Sequence, residues 1–105
     1  MMTEGVAKWL DEQFGGEQEI IREVYAEYLR SSAEKIAEGR AARTAEDYPL
    51  LDRIAHTLKG NALMVGDQAS ADAAVALRDA SKVSDGKAAD SALDRLAALD
   101  AANRA

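Results

Sequence analysis

The chain is divided by four breaks, and every segment between them has the periodicity of an amphipathic helix. The breaks fall at Gly15-Gly16, Gly39 to Asp47, Gly66-Asp67 and Ser84 to Gly86. Between them apolar residues recur three and four positions apart, and no segment alternates in the way that is typical of a strand. The pattern predicts an all-α chain with helices over about residues 3–14, 17–38, 47–65, 68–83 and 87–103.

The lengths of these segments indicate how the helices pack. Four long helices joined by short turns place sequential neighbours antiparallel, which predicts an up-down-up-down four-helix bundle. The short additional N-terminal helix is then expected to lie over one end of the bundle. Because the chain has 105 residues, we expect a single helical domain over residues 1–105 with one core.

Charge and composition exclude several classes of function. The net charge of -6 repels nucleic acid and anionic lipid, so neither nucleic acid nor a membrane is an expected partner. The absence of cysteine excludes a disulfide framework and cysteine-ligated zinc, and one histidine with scattered carboxylates predicts no metal site. The N-terminal residues contain no apolar run like that of a signal peptide. We expect a cytoplasmic protein, and a monomer as the simplest state.

The third predicted helix places its residues on two opposite faces. Pro49 lies in its first turn, with Thr44 or Asp47 as the candidate cap. At about 100° per residue, one face collects the apolar residues Leu51, Ile54, Ala55, Leu58, Ala62 and Val65. The opposite face collects Pro49, Asp52, Arg53, His56, Lys59, Gly60 and Leu63. The only histidine therefore points outward from the middle of a long helix.

Three neighbours distinguish His56 from an ordinary surface histidine. Lys59 lies one turn further along the same face, where its ammonium group can reach an anion on the imidazole. Gly60 lies four residues on, although glycine inside a helix costs about 1 kcal/mol relative to alanine. Its missing β-carbon leaves room for another protein to approach the ring. Leu63 adds an apolar side chain to this face as a candidate docking contact.

Neutral imidazole is a competent nucleophile, and attack on an activated phosphoryl group would leave an anionic product beside Lys59. The chain has neither a glycine-rich phosphate loop nor a Walker-type lysine. We therefore expect a phosphoryl carrier without autokinase activity, rather than an independent enzyme.

The segment Ala55-His56-Thr57-Leu58-Lys59-Gly60-Asn61-Ala62, followed by Gly66, resembles the signature of histidine-containing phosphotransfer (HPt) domains. The five-helix layout extends this resemblance across essentially the whole chain. In that family the histidine accepts a phosphoryl group from the aspartate of one receiver domain and passes it to the aspartate of another. The resemblance implies phosphorylation of His56, stabilisation by Lys59 and docking clearance at Gly60. It also implies response-regulator receiver domains and a hybrid histidine kinase as partners, with Mg²⁺ supplied by the receiver and no cofactor in this chain.

Two positions depart from the family pattern. Many members have serine or alanine where this chain has Asn61, which lies near the core edge and needs a hydrogen-bond partner if buried. Where the family often has glutamine or glutamate, this chain has Arg78. Facing His56, Arg78 would add positive charge for a phosphoryl group; otherwise it is a solvated side chain. Together with Arg53, Gly60 and Leu63, it is a candidate for receiver docking or for the phosphoryl environment.

Other interpretations of the same pattern remain. A degenerate relative would bind a receiver or kinase without carrying phosphate, although the intact His56, Lys59 and Gly60 disfavour this. The chain would also fit a phosphoacceptor piece of a longer chemotaxis-type or hybrid kinase; its initial methionine and the lack of a terminal linker favour independence weakly. A hydrolytic enzyme is disfavoured because one histidine and scattered carboxylates provide no set of nucleophile, base and orienting group.

Overall fold

A computed structural model describes all 105 residues as five α-helices joined by short turns. The helices are α1 (Glu4–Phe14), α2 (Gln18–Thr44), α3 (Tyr48–Met64), α4 (Gln68–Lys82) and α5 (Gly86–Arg104). Helices α2 and α4 each pack against both α3 and α5, so the four long helices form an antiparallel bundle. The prediction of an all-α four-helix bundle with an additional N-terminal helix is confirmed. None of the helices has the length and apolar character that a bilayer crossing requires.

Helix α2 is longer than the sequence pattern predicted. The polar stretch that begins at Gly39 was expected to be a break, but the helix continues to Thr44. Gly39 is buried against α5, where a β-carbon would lie 3.1 Å from Leu93 Cδ2. Glycine therefore marks a close helix approach here, and not a helix end. The last helical turn of α2 is stabilised by burial of Ala42. It is also stabilised by Arg43, whose Nε donates to the carbonyl of Gly86 at 2.9 Å.

The three turns that join the bundle helices share one geometry. In each, a residue with positive φ precedes an aspartate that caps the next helix: Glu46 before Asp47, Gly66 before Asp67, and Ser84 before Asp85. Each aspartate N–H donates at 2.9 Å to a carbonyl five residues earlier, and its carboxylate accepts from the N–H three residues later. These bonds satisfy groups that a helix end leaves without partners. Between the two predicted caps for α3, the structure selects Asp47.

Helix α1 closes one end of the bundle, as predicted. Val6 and Leu10 are buried against apolar residues of α2, α3 and α4. Trp9 lies over the turn between α3 and α4, where its indole N–H donates to the carbonyl of Met64 at 3.3 Å. Gly66 has a φ of 71°, and a β-carbon there would lie 2.5 Å from Trp9 Cγ. Only glycine satisfies both the backbone conformation and the indole contact at this position.

A buried carboxylate links three helices at the same end. Asp67 accepts hydrogen bonds from Tyr28 Oη at 2.7 Å, Ser70 Oγ at 2.8 Å and Asn103 Nδ2 at 3.1 Å. Burial raises the pKa of Asp67, but these hydrogen bonds outweigh that effect and hold the pKa below its usual value. Burial, together with the neighbouring Asp67, raises the pKa of the Tyr28 phenol well above its usual value. The network therefore contains one carboxylate whose ionised form is stabilised by the fold.

Replacing this carboxylate should destabilise the protein in a pH-dependent way. We expect Asp67→Ala to lower the free energy of unfolding at pH 7 by about 2–4 kcal/mol, because it removes a helix cap and leaves buried donors without an acceptor. Since the folded-state pKa is lowered, this stabilisation is complete above the unfolded pKa of about 3.9 and is lost as the pH falls through the folded value. Urea unfolding of parent and variant should therefore converge as the pH falls below about 4.

Asp47→Ala is the matched control because Asp47 caps α3 in the same way but is exposed. It should cost only about 1 kcal/mol. Equal losses for the two variants would contradict a special role for the Asp67 network.

Candidate functional site

His56 lies on the solvent side of α3, where the sequence predicted it. The six residues assigned to the opposite face of α3 and its C-cap are all buried, from Leu51 at 0% exposure to Ile54 at 5%. Ala55 and Leu58, which flank the histidine, fix the rotation of the helix about its axis. The His56 imidazole is exposed and has no hydrogen-bond partner within the chain. The imidazole is therefore available to another molecule.

Gly60 is surrounded by open space. A β-carbon built at this position meets no atom within 4 Å, so nothing inside the protein requires glycine there. Gly39 provides the contrast, because it also lies inside a long helix but touches Leu93. Packing within the fold therefore explains why position 39 is glycine, but it does not explain why position 60 is glycine. Glycine inside a helix is destabilising, so its presence here calls for another reason. The open space that it leaves one turn from His56 gives a partner molecule access to the ring.

Cationic side chains lie around His56 in a chain that is acidic as a whole. Lys59 is half-buried, Arg53 is exposed, and neither takes part in an ion pair or a side-chain hydrogen bond. Arg78 reaches across from α4, where its Nε donates to Asp52 Oδ1 at 3.3 Å. Three cations and one carboxylate therefore lie on or beside this face, an arrangement that suits an anion attached to the imidazole.

Apolar side chains are exposed towards the C-terminal end of α3. Leu63, which the sequence singled out, is 42% exposed, and Met64 is 74% exposed. Met64 belongs to neither of the two faces that the sequence pattern of α3 defines, so the pattern did not indicate it as a contact. It borders a groove between α1, α2 and α3 whose lining includes Phe14, Val24 and Tyr28. An exposed apolar surface of this kind is typical of a protein-docking site.

Asn61 has the hydrogen-bond partner that its position requires. It lies at the edge facing α2, where its Nδ2 donates to Ser31 Oγ at 2.9 Å. This contact links α2 and α3 on the side opposite to Arg78. Asn61 therefore serves packing between helices and makes no contact with His56. No cluster of three or more histidine, cysteine or acidic side chains is arranged to hold a metal ion.

These observations define a class of protein: a four-helix bundle that carries one exposed histidine in the middle of a helix, with a lysine and a glycine one turn away. A family model described as the Hpt domain matches residues 23–104. The chain therefore belongs to the Hpt domain family. The chain has no match among curated proteins or solved structures. The family match begins within α2, so α1 lies outside it, although the resemblance had been expected to cover essentially the whole chain.

The two interior glycines yield a stability prediction. We expect Gly60→Ala to raise the free energy of unfolding by up to about 1 kcal/mol, because alanine is the better helix former and its methyl group meets open space. Gly39→Ala is the matched control, since contact with Leu93 opposes the same gain in helix propensity. Thermal and urea unfolding should show a higher free energy of unfolding for Gly60→Ala than for Gly39→Ala. A destabilised Gly60→Ala protein would show that Gly60 serves internal packing.

Proposed function

We propose that this chain is a phosphotransfer protein of a two-component phosphorelay, with His56 as the residue that carries the phosphoryl group. The group arrives from the aspartate of one receiver domain and leaves to the aspartate of another. Membership of the Hpt family supports a phosphotransfer module in two-component signalling. The observation that carries the assignment to His56 is the combination of an unpartnered imidazole and the open space at Gly60.

The transfer balances without any further reactant. The lone pair of an imidazole nitrogen attacks phosphorus, an N–P bond forms, and the P–O bond to the receiver's aspartate breaks. The aspartate leaves as a carboxylate, while the imidazole proton stays on the other ring nitrogen. The reverse sequence delivers the phosphoryl group to the second receiver. We expect the receivers, and not this chain, to supply Mg²⁺ and the carboxylate pocket.

The side chains around His56 have separate roles in this proposal. Lys59 donates a charge-assisted hydrogen bond to the phosphoryl oxygens. Gly60 leaves room for the receiver loops that bring the aspartate into line, since displacing reacting atoms by about 1 Å can slow transfer on the order of 10²-fold. Leu63 and Met64 provide an apolar contact for docking on the C-terminal side of His56. The exposed Arg53 contributes positive charge on its N-terminal side.

We expect His56→Gln to fold normally but to accept no phosphoryl group. Glutamine retains a polar, helix-compatible side chain but lacks the nucleophilic ring nitrogen. The measurement is transfer of label from a phosphorylated receiver, scored as acid-labile and base-stable label on this chain, with circular dichroism as the check on folding. If the parent and His56→Gln both bind receivers but neither takes label, the result would support the alternative, an interaction module without phosphate transfer. Full labelling of His56→Gln would remove His56 as the acceptor.

Lys59→Ala should alter the kinetics and leave the fold intact. We expect a phosphohistidine lifetime or a transfer rate reduced about three- to tenfold, because one charge-assisted hydrogen bond to phosphate is lost near the surface. The free energy of unfolding should change by less than about 0.5 kcal/mol. Lys87→Ala, an exposed lysine on α5, is the matched control for loss of one positive charge. Identical kinetics in both variants would show that Lys59 is an ordinary solvated lysine that does not stabilise the phosphoryl group.

A further inference from the structure

The ion pair between Asp52 and Arg78 differs from the other ion pairs of the chain. It joins α3 to α4 directly beside the His56 face, with Arg78 Nε 3.3 Å from Asp52 Oδ1, and both side chains are only 32% exposed. No other ion pair has both partners so well shielded; for Arg40 and Asp94, which join α2 to α5, the values are 47% and 73%. Partial shielding from water strengthens the attraction between such charges relative to a fully exposed pair.

Only part of the Arg78 guanidinium is used by this contact. Nε donates to Asp52, whereas Nη1 and Nη2 have no partner within the chain. A guanidinium group carries five N–H donors in a rigid plane, and its fork geometry matches carboxylate and phosphate oxygens. Arg78 therefore keeps most of its donors available for a second anion while Asp52 holds it from one side.

The location of that second anion follows from helix geometry. Asp52 precedes His56 by four residues, which places the two side chains on the same face about 6 Å apart along the axis. Lys59 follows Asp52 by seven residues, about two turns, so it lies near the edge of α3 at which Asp52 contacts Arg78 of α4. An anion bound to the imidazole would therefore lie between Lys59 and the guanidinium that Asp52 holds.

We propose that Asp52 is a positioning residue, which orients Arg78 so that its Nη groups bind the phosphoryl group on His56. The inference rests on the proposed function and adds to it a second cation and the carboxylate that fixes this cation in place. Orienting Arg78 in advance reduces the side-chain entropy that would otherwise be lost when the phosphoryl group arrives. Without Arg78, Asp52 would destabilise phosphohistidine, because its negative charge repels the phosphoryl group through space.

The sign of the effect of Asp52 therefore distinguishes positioning from simple repulsion. The chain is phosphorylated with the small donor phosphoramidate, and the half-life of phosphohistidine is measured without any receiver. We expect Arg78→Gln to shorten the half-life about three- to tenfold and Asp52→Asn to shorten it about threefold. In the Arg78→Gln background, Asp52→Asn should no longer shorten the half-life, because Asp52 acts through Arg78.

Asp94→Asn is the matched control, because it removes the same charge from an interhelical arginine pair on α2 and α5. It should leave the half-life unchanged. In the parent, the Arg78 side-chain NMR signals should shift when His56 is phosphorylated, a response that a purely structural ion pair would not give. The same shift should be smaller in Asp52→Asn.

A longer half-life in Asp52→Asn, or the same shortening with and without Arg78, would overturn the positioning role. Unchanged half-lives in both single variants of a parent that is phosphorylated on His56 would overturn this inference alone. A parent that takes no phosphoryl group on His56 would overturn both this inference and the proposed function.

Discussion

Burial of one face of α3 is the constraint on which the site depends. Leu51, Ala55 and Leu58 are sealed between the neighbouring helices, so α3 cannot rotate without exposing apolar surface, which costs about 25 cal/mol per Å². This packing fixes the direction in which His56, Lys59 and Gly60 point. The site therefore obtains its geometry from the core, although none of its own side chains is fully buried. A reactive group on a rigid helix is held more precisely than one on a loop.

The connections at the ends of the bundle are stabilised by a repeated turn motif, in which an aspartate follows a residue with positive φ. The three turns use the same hydrogen bonds, yet they differ in their surroundings. Asp47 and Asp85 are exposed, whereas Asp67 is buried at 6% exposure and also binds Tyr28 and Asn103. One turn has thus become the point at which α2, α4 and α5 are joined. It lies at the end that α1 covers, where Trp9 packs on Gly66.

Much of this structure could be predicted from the sequence, because helix periodicity and capping residues are local signals. The number of helices followed from the breaks, the face of α3 that carries His56 followed from apolar spacing, and the position of α1 followed from the lengths of the segments. The end of α2 did not, because Gly39 is explained by a contact with Leu93, which is distant in the sequence. The ion pair of Asp52 and Arg78 and the burial of Asp67 also depend on the register between neighbouring helices. Single-sequence patterns do not contain that information.

Trp9 gives the chain an optical property that follows from its place in the fold. It is the only tryptophan, and it belongs to α1, outside the residues that the family model matches. Its fluorescence therefore reports the docking of α1 on the turn at Gly66, whereas far-ultraviolet circular dichroism reports the helices of the whole bundle. If α1 detaches before the bundle melts, the two signals change at different denaturant concentrations. The chain thus carries its own probe for the cooperativity between an appended helix and the domain that it covers.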